Sequence, residues 1–289
     1  MVKQQNWKVQ FPTVNRSFES TTGILYNSNN IDLLKKFPDK SIDLVVTSPP
    51  YDNLRTYNKN IDKIWNFDIF KQLAIQLSRV LKVGGIIVWV VGDATIDGSE
   101  TGTSFRQALY FKDVCNLNIH DTMIYEKAGF SNPSSNRYHQ IFEYMFIFSK
   151  GKPKTFNPII DRKNRYSGST SWGKNTARKV NGELSERKDR NIISDYGQRY
   201  NIWKYANGKG FGQKDDIAYQ HPATFPEQLA YDHIISWSNK HDIVLDPFMG
   251  SGTTAKQCIL TDRYWIGIEI NVEYCEIIQK RLQKYKLFL

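Results

Sequence analysis

The chain has 289 residues, and its 39 Lys and Arg residues outnumber its 29 Asp and Glu residues, which gives a formal net charge of +10. With 40% hydrophobic and 24% charged residues, the composition is that of a globular protein and excludes an intrinsically disordered one. The excess of positive charge favours a polyanionic partner such as nucleic acid.

Strand-like and helix-like segments alternate along residues 1–150. Ile42–Thr47 is short and rich in β-branched residues, which predicts a strand. Phe67–Leu81 repeats apolar residues at the helical period, and the following Gly84 and Gly85 predict the end of that helix. Ile86–Val91 is continuously apolar, as expected for a strand buried on both faces. Two further strands are predicted at Met123–Glu126 and Tyr144–Phe148.

The middle of the chain has a different composition. Residues 151–220 hold 15 Lys or Arg residues but only seven Asp or Glu residues, and they are rich in Gly, Ser, Asn and aromatic residues. Turn-forming residues flank this stretch at 150–153 and at 208–216. We therefore expect a basic insertion over residues 151–215, between two parts of one domain formed by residues 1–150 and 216–289.

The alternation of elements returns after the insertion. Helices are predicted at Pro226–Trp237, Thr253–Leu260 and Val272–Tyr285, and strands at Ile243–Leu245 and Tyr264–Ile270. Strands that alternate with helices predict an α/β fold of the Rossmann-like kind, with a mostly parallel sheet and helices on both faces.

Several kinds of structure are not expected. No run of about 18 apolar residues occurs, so no membrane span is predicted. The first residues, Met1 to Asn6, contain no apolar signal segment, and we expect a cytoplasmic protein. The three cysteines (Cys115, Cys258 and Cys275) are widely spaced, and the five histidines lack the spacing of metal ligands, so neither a disulfide framework nor a metal site is expected.

A glycine-rich loop follows the predicted strand that ends near Asp246. It contains the pattern Gly250-x-Gly252-x-x-Ala255, and an acidic residue, Glu269, ends the next predicted strand. The glycines permit a tight turn and close approach of a ligand, and a carboxylate at that position meets ribose hydroxyls in nucleoside-binding folds. The pattern predicts a cofactor that contains adenosine, without distinguishing a dinucleotide from another such cofactor.

A second unusual segment, Ser48-Pro49-Pro50-Tyr51, follows the predicted strand Ile42–Thr47. The two prolines hold the chain extended and supply no backbone N–H groups, so the carbonyl of Pro49 can serve as a fixed hydrogen-bond acceptor. Ser48 offers a second acceptor and Tyr51 an aromatic face. Together they suit the planar amine of a nucleobase, whose lone pair is delocalised into the ring and must be localised before the nitrogen can react.

The two segments together resemble the S-adenosylmethionine-dependent DNA amino-methyltransferases, which modify N4 of cytosine or N6 of adenine. The order of the motifs resembles the permuted β group, and the stretch His221–Pro226 is also similar to that family. The resemblance implies a methyltransferase sheet, S-adenosylmethionine as cofactor, double-stranded DNA as partner and flipping of the target base. It implies that Ser48, Pro49, Pro50 and Tyr51 hold the flipped base. The implied cofactor-binding residues are Asp246, Pro247, Phe248, Gly250, Gly252, Thr253 and Glu269.

One position departs from the family pattern. Family members often carry Asp near Tyr26, where it meets the cofactor adenine, and this chain offers Asn29 or a neighbour instead. An amide oxygen can accept a hydrogen bond from the adenine amine, so Asn29 is retained as a candidate.

The basic insertion falls where the family has its target-recognition region. Its cations could neutralise phosphates, and its interleaved aromatic and amide side chains could contact bases. The predicted DNA-binding residues are Arg162, Lys163, Arg165, Lys174, Arg178 and Lys179.

Cytosine N4 is the favoured target, because Ser before Pro-Pro-Tyr is more frequent among the cytosine-N4 enzymes of this family. Adenine N6 is the alternative, since a hydroxyl can serve either base. A non-catalytic DNA-binding protein of the same fold and a nicotinamide-dependent oxidoreductase are more remote alternatives. A cognate restriction endonuclease could accompany the enzyme in a restriction-modification system.

Overall fold

The structure, a computed structural model, describes residues 7–50, 65–129, 135–170, 176–186, 192–206, 212–221, 224 and 226–285. The chain divides into two compact units. One unit comprises Met1–Asn157 and Asn201–Leu289, and the other comprises Pro158–Tyr200.

The larger unit is organised around one sheet, which has nine strands within the described residues. In chain order these are β1 (Arg16–Glu19), β2 (Gly23–Asn27), β3 (Ile42–Thr47), β4 (Leu81–Val91), β5 (Asn118–Lys127), β6 (Phe142–Ser149), β7 (Ile202–Tyr205), β8 (Ile243–Asp246) and β9 (Tyr264–Glu269). The order across the sheet is β1-β2-β9-β8-β3-β4-β6-β5-β7.

The central strands β2, β9, β8, β3 and β4 run parallel to one another. Strand β6 is antiparallel to β4 and to β5, β7 is parallel to β5, and β1 is antiparallel to β2. The predicted mostly parallel α/β sheet is therefore confirmed. Because parallel strands end at the same edge, the chain segments that follow β2, β3, β8 and β9 meet there, at the edge where ligands bind in open α/β sheets.

Helices cover both faces of the sheet. They are α1 (Asn30–Leu34), α2 (Phe67–Val80), α3 (Thr103–Asp113), α4 (Glu227–Trp237), α5 (Thr253–Leu260) and α6 (Val272–Gln283), with 3-10 turns at Trp7–Gln10 and Asp216–Gln220. The apolar face of α2 joins a core that also contains Trp89 of β4 and Phe146 of β6. Met145, which points to the opposite side of β6, contacts His233 of α4 at 3.2 Å. The two sides of the same strand thus contact helices on different faces.

The structure corrects one predicted helix end. Helix α2 ends at Val80 and β4 begins at Leu81, so Gly84 and Gly85 lie inside a strand and the prediction that they end the helix was wrong. Gly84 has a φ of +79°, and the pairing of β4 with β3 shifts register at this point. A Cβ atom at Gly84 would lie 2.9 Å from the Cβ of Lys154. The glycines therefore permit an irregularity in the strand where another segment passes close to its backbone.

The smaller unit, Pro158–Tyr200, contains short antiparallel pairs. Arg162–Lys163 pairs with Tyr196–Gly197, and Thr176–Arg178 pairs with Leu184–Glu186. The guanidinium of Arg199 forms a salt bridge with the carboxylate of Asp161, and its Nε lies 3.1 Å from both oxygens.

None of the helices that the structure describes has the length and hydrophobicity needed to cross a membrane. The same described residues contain no group of three or more His, Cys, Asp or Glu side chains that could bind a metal ion.

Candidate active site

The two motifs singled out in the sequence meet at the carboxyl edge of the sheet. Ser48 and Pro49 follow β3, the glycine-rich loop follows β8, and these two strands are parallel neighbours with Val45 opposite Leu245. Ser48 is half-buried and Pro49 is buried. Tyr51 lies outside the described residues. The Ser48-Pro49 segment and the glycine-rich loop therefore begin on adjacent strands.

Asp246, the last residue of β8, forms hydrogen bonds with several chain segments at this edge. Its Oδ1 accepts hydrogen bonds from Thr47 Oγ1 at 2.7 Å and from the backbone N–H of Phe248 at 3.0 Å. Its Oδ2 accepts a hydrogen bond from Thr254 Oγ1 at 2.7 Å. Burial raises the pKa of Asp246 to about 6, although these hydrogen bonds act in the opposite direction.

The glycine-rich loop turns through two left-handed residues, Gly250 at a φ of +54° and Gly252 at +82°. A side chain is disfavoured at both positions by the backbone conformation. A Cβ atom on Gly250 would lie 3.2 Å from the ring of His221, and one on Gly252 would lie 3.1 Å from Ile278. Helix α5 begins immediately afterwards at Thr253.

Glu269, at the end of β9, faces the loop. Its two carboxylate oxygens accept hydrogen bonds from the backbone N–H groups of Gly250 and Asn271, each at 2.9 Å. Burial raises the pKa of Glu269 to about 7, while those two N–H groups lower it. Each oxygen retains a second lone pair that can accept a hydrogen bond from a bound hydroxyl.

Other predicted cofactor residues occupy different environments around this loop. Phe248 is half-buried, and its ring packs edge-to-face against Trp65 at a centroid distance of 5.2 Å. The carbonyl of Pro247 accepts a hydrogen bond from the side chain of Asn30 at 3.1 Å. Asn29 is the N-cap of α1, and its amide oxygen accepts a hydrogen bond from the N–H of Asp32 at 3.2 Å. The amide oxygen of Asn29, which was expected to accept a hydrogen bond from adenine, therefore caps a helix.

A buried network of charged groups forms hydrogen bonds with the glycine-rich loop and with the start of α5. Arg281 of α6 is fully buried, and its Nη1 donates hydrogen bonds to the carbonyl of Ser251 at 2.9 Å and to Thr253 Oγ1 at 3.1 Å. The same guanidinium contacts Asp215 at 3.0 Å and Glu227 at 2.8 Å. Thr253 is a predicted cofactor residue, and its hydroxyl thus accepts a hydrogen bond within this network.

Lys256 of α5 supplies the second cation of the network and binds Asp215 at 2.8 Å and Glu227 at 2.7 Å. Burial acts to raise the pKa of Asp215, but the hydrogen bonds from Lys256 and Arg281 outweigh it and the pKa is lowered. Burial acts to lower the pKa of Lys256, but its contacts with Asp215 and Glu227 outweigh it and the pKa is raised. Asp215 and Lys256 therefore favour each other's ionised form.

The predicted DNA-binding residues differ in exposure. Lys163, Arg165, Arg178 and Lys179 are exposed, whereas Arg162 is half-buried. Arg162 donates a hydrogen bond from Nε to the carbonyl of Gln198 at 2.9 Å and lies over the ring of Tyr200. Lys174 lies outside the described residues.

Two residues near the loop, Thr47 and Arg281, were not predicted from the sequence. Arg281 follows Cys275 and Ile278 on the buried side of α6 and precedes buried Leu282, so the helical period places a cation on an apolar face. A cation at this position of the helical pattern predicts a buried charge with acidic partners. Thr47 shows no such signal, because its partner Asp246 is 199 positions away.

Comparisons with known proteins agree with this geometry. A family model described as DNA methylase, of the N6/N4 methyltransferase type, matches residues 42–280. The orphan methyltransferase M.BamHII of Bacillus amyloliquefaciens is 56% identical over 247 residues, which are 86% of this chain and 91% of that protein.

Two solved structures share the fold. The cytosine-N4-specific PvuII DNA methyltransferase has a TM-score of 0.68 at 22% sequence identity, with 92% of this chain and 88% of that chain covered. M1.HpyAVI, solved as a complex with SAM, has a TM-score of 0.59 at 22% identity, with 89% of this chain and 98% of that chain covered. The family model and the close relative each span most of the sequence, and the chain belongs to the N6/N4 DNA methylase family.

Proposed function

We propose that this DNA methylase transfers a methyl group from S-adenosylmethionine to the exocyclic amine of a flipped base in double-stranded DNA, with cytosine N4 favoured. The observation that supports this most strongly is the meeting of Ser48-Pro49 and the glycine-rich loop on adjacent parallel strands, β3 and β8. An amine acceptor and a methyl donor must be held side by side, and neighbouring strand ends provide that arrangement.

Ser48 Oγ and the Pro49 carbonyl are the proposed acceptors for the two hydrogens of the amine. Their hydrogen bonds favour a pyramidal nitrogen with a localised lone pair, which an amine conjugated with the base ring otherwise lacks. Pro50 keeps Pro49 extended, so the carbonyl is oriented before the base arrives. Tyr51 is proposed to stack on the extruded ring.

The residues around the glycine-rich loop fit a nucleoside cofactor. Bound S-adenosylmethionine would supply an electrophilic methyl group on a sulfonium centre. The left-handed residues Gly250 and Gly252 give the loop its tight turn, and the buried carboxylate of Glu269 suits ribose hydroxyls. We propose that Pro247, Phe248 and Asn29 complete the cofactor site, and that Asp246 and Thr253 hold the loop in shape.

Affinity for the cofactor should depend on the protonation of Glu269. An ionised carboxylate is the stronger acceptor for hydroxyl groups, and the pKa of Glu269 is raised to about 7, so protonation competes with binding at lower pH. We expect the affinity for S-adenosylmethionine to rise roughly tenfold between about pH 6 and about pH 8. Isothermal titration calorimetry across this range measures the change.

Glu269→Gln separates this effect from titration of the cofactor itself. The variant should bind about 1.5–3 kcal/mol more weakly at pH 8, because it loses the charged acceptor. It should also lack the component of the pH dependence that belongs to Glu269. Identical pH profiles for the parent protein and the variant would remove Glu269 from the ribose site.

We propose that the target-recognition region lies within the basic insertion predicted over residues 151–215, between catalytic parts formed by residues 1–150 and 216–289. The compact unit Pro158–Tyr200 falls inside that range and carries exposed cations at Lys163, Arg165 and Arg178. Arg162 and Arg199, which have partners within the unit, are proposed to maintain its structure. Lys174 and Lys179 remain proposed phosphate contacts.

Neutralising exposed cations of this unit should change the salt dependence of DNA binding. Each phosphate contact contributes about 0.9 to the slope of log affinity against log salt. The triple variant Lys163→Gln, Arg165→Gln, Arg178→Gln should therefore flatten the slope, by up to about 2.7 if all three contact phosphates. Fluorescence anisotropy with a labelled duplex at increasing salt measures the slope.

A matched control removes the same charge from exposed lysines of the larger unit, Lys35, Lys240 and Lys280. That variant should keep the parent slope. If both triple variants flatten the slope equally, the effect is one of net charge, and the proposed path of DNA over this unit is wrong.

The choice of base is tested by identifying the modified nucleoside. Expression in a host without N4 or N6 methylation, followed by nucleoside mass spectrometry and methylation-sensitive sequencing, should reveal N4-methylcytosine in one sequence motif. N6-methyladenine instead would establish the alternative target, and the absence of both would contradict the proposed activity. Resistance of the methylated motif to endonucleases that cleave it would show that the modification can protect DNA from restriction, as a partner restriction enzyme would require.

A further inference from the structure

The hydrogen bonds of Asp246 connect the two halves of the proposed reaction. Strand β3 leads directly into Ser48, and strand β8 leads into the glycine-rich loop. Backbone pairing between these strands extends to Val45 and Leu245 in the described residues. Beyond that point, the side chain of Thr47 continues the connection by donating its hydroxyl to Asp246 at 2.7 Å.

Burial leaves the side chain of Asp246 with almost no accessible surface. The residue is 1% exposed, and Thr47 and Thr254 are fully buried. Both carboxylate oxygens accept hydrogen bonds from the protein, one from Thr47 and Phe248 and the other from Thr254. The described contacts of Asp246 at the end of this strand are therefore with neighbouring protein groups.

The three donors belong to three different segments. Thr47 is the residue before Ser48, Phe248 lies in the cofactor loop, and Thr254 lies in the first turn of α5. A carboxylate that accepts from all three fixes their relative positions in a dry environment, where a hydrogen bond is strong and hard to replace with water. The distance between the amine-binding segment and the loop is thus set by a side-chain contact at the point where the two strands separate.

We propose that Thr47 and Asp246 are positioning residues that set the distance between the target amine and the methyl donor. This inference rests on the proposed function of Ser48 and the loop. A displacement of about 1 Å can lower a rate by about 100-fold when two groups must be held in a reactive geometry. Loss of the Thr47 hydroxyl should therefore impair transfer more than it impairs binding of either substrate.

Thr47→Val tests this proposal, because valine keeps the shape of threonine and removes the hydroxyl. We expect the single-turnover rate of methyl transfer to fall by about 10- to 100-fold. The dissociation constants for S-adenosylmethionine and for duplex DNA should stay within about twofold of the parent values. Thr47→Ser restores the hydroxyl and should recover most of the rate.

Thr261→Val is a matched control, because Thr261 is also buried and donates its hydroxyl, to the carbonyl of Gln257 at 2.7 Å. It lies at the far end of α5 from the loop. This variant should lower the midpoint of urea unfolding as Thr47→Val does, but it should keep the parent rate. Equal rates for the parent and Thr47→Val, or a loss of rate matched by weaker cofactor binding, would overturn the proposal.

Crystal structures of the parent, Thr47→Val and Thr261→Val provide a readout that does not depend on activity. The carbonyl of Pro49 should shift relative to Phe248 by about 1 Å in Thr47→Val only. An unmoved strand end would contradict the positioning role even if the parent is active. A parent protein that transfers no methyl group would instead contradict the proposed function, while the structures would still decide whether Thr47 fixes this distance.

Discussion

Replacing Ser48 with alanine is expected to lower the single-turnover rate of methyl transfer by about 100- to 1000-fold, the loss found when one preorganised hydrogen-bonding group is removed from a reacting atom. The hydroxyl is one of two proposed acceptors for the target amine. Ser48 is half-buried and directly follows β3. Affinity for DNA should change little, because the phosphate contacts that dominate it are proposed to lie in the basic insertion. Rapid-quench measurement with excess enzyme gives the rate.

Ser41→Ala provides a control at the other end of the same strand, since Ser41 directly precedes β3. Ser41 is buried at the opposite end of β3, and its hydroxyl donates a hydrogen bond to the carbonyl of Pro38 at 2.8 Å. Its loss should cost about 1 kcal/mol of folding stability and leave the rate unchanged. A Ser48→Ala enzyme that transfers methyl groups at the parent rate would show that the Ser-Pro-Pro segment only terminates a strand.

Replacing Arg281 with methionine is expected to lower the free energy of unfolding by about 3–5 kcal/mol, the cost typical of removing one partner from a buried ion pair. After this change, two carboxylates of the network, Asp215 and Glu227, share a single buried cation of the network, Lys256. It also removes the donor to the Ser251 carbonyl, so the cofactor loop should become less ordered and bind S-adenosylmethionine more weakly. Urea unfolding followed by circular dichroism measures the stability.

The neighbouring Lys280 offers a matched control on the same helix. It is exposed and lies 3.9 Å from Glu276, so Lys280→Met should change stability by less than about 0.5 kcal/mol. Arg281→Lys keeps the charge but not the planar donor group, and it should have an intermediate effect that is measurable if the methionine variant does not fold. Equal urea midpoints for the two methionine variants would show that the buried network contributes no net stability.

The local pattern of the sequence was sufficient for the elements that carry the site. Ile42–Thr47 was predicted as a strand and is one, because a short β-branched run ending in two prolines has few alternatives. The helix from Thr253 to Leu260 was predicted with the same bounds, because the glycines before it and its apolar content are both local signals. Gly84 and Gly85 were misread because a pair of glycines after a helical run fits a helix end and a strand irregularity equally well.

Asn29 illustrates a signal present in the sequence but given another meaning. An Asn three residues before an Asp, at the start of a short apolar run, is typical of a helix N-cap, and Asn29 forms that cap. The resemblance to the family implies a contact with adenine at this position instead. The backbone contact of the side chain explains why an amide occurs there, whether or not the cofactor also reaches it.

The alternation of strands and helices, the two motifs and the family resemblance could be predicted from local patterns, because each is encoded by residues close together in the chain. The partners of Asp246 and Arg281 are apparent only once the chain is folded. Thr47 and Asp246 are 199 positions apart, and Arg281 and Gln213 are 68 apart. Such contacts depend on the order of the strands and on which face of each helix is buried. Hydrophobic periodicity predicts which residues are buried, but it does not identify the polar partner that a buried charge requires.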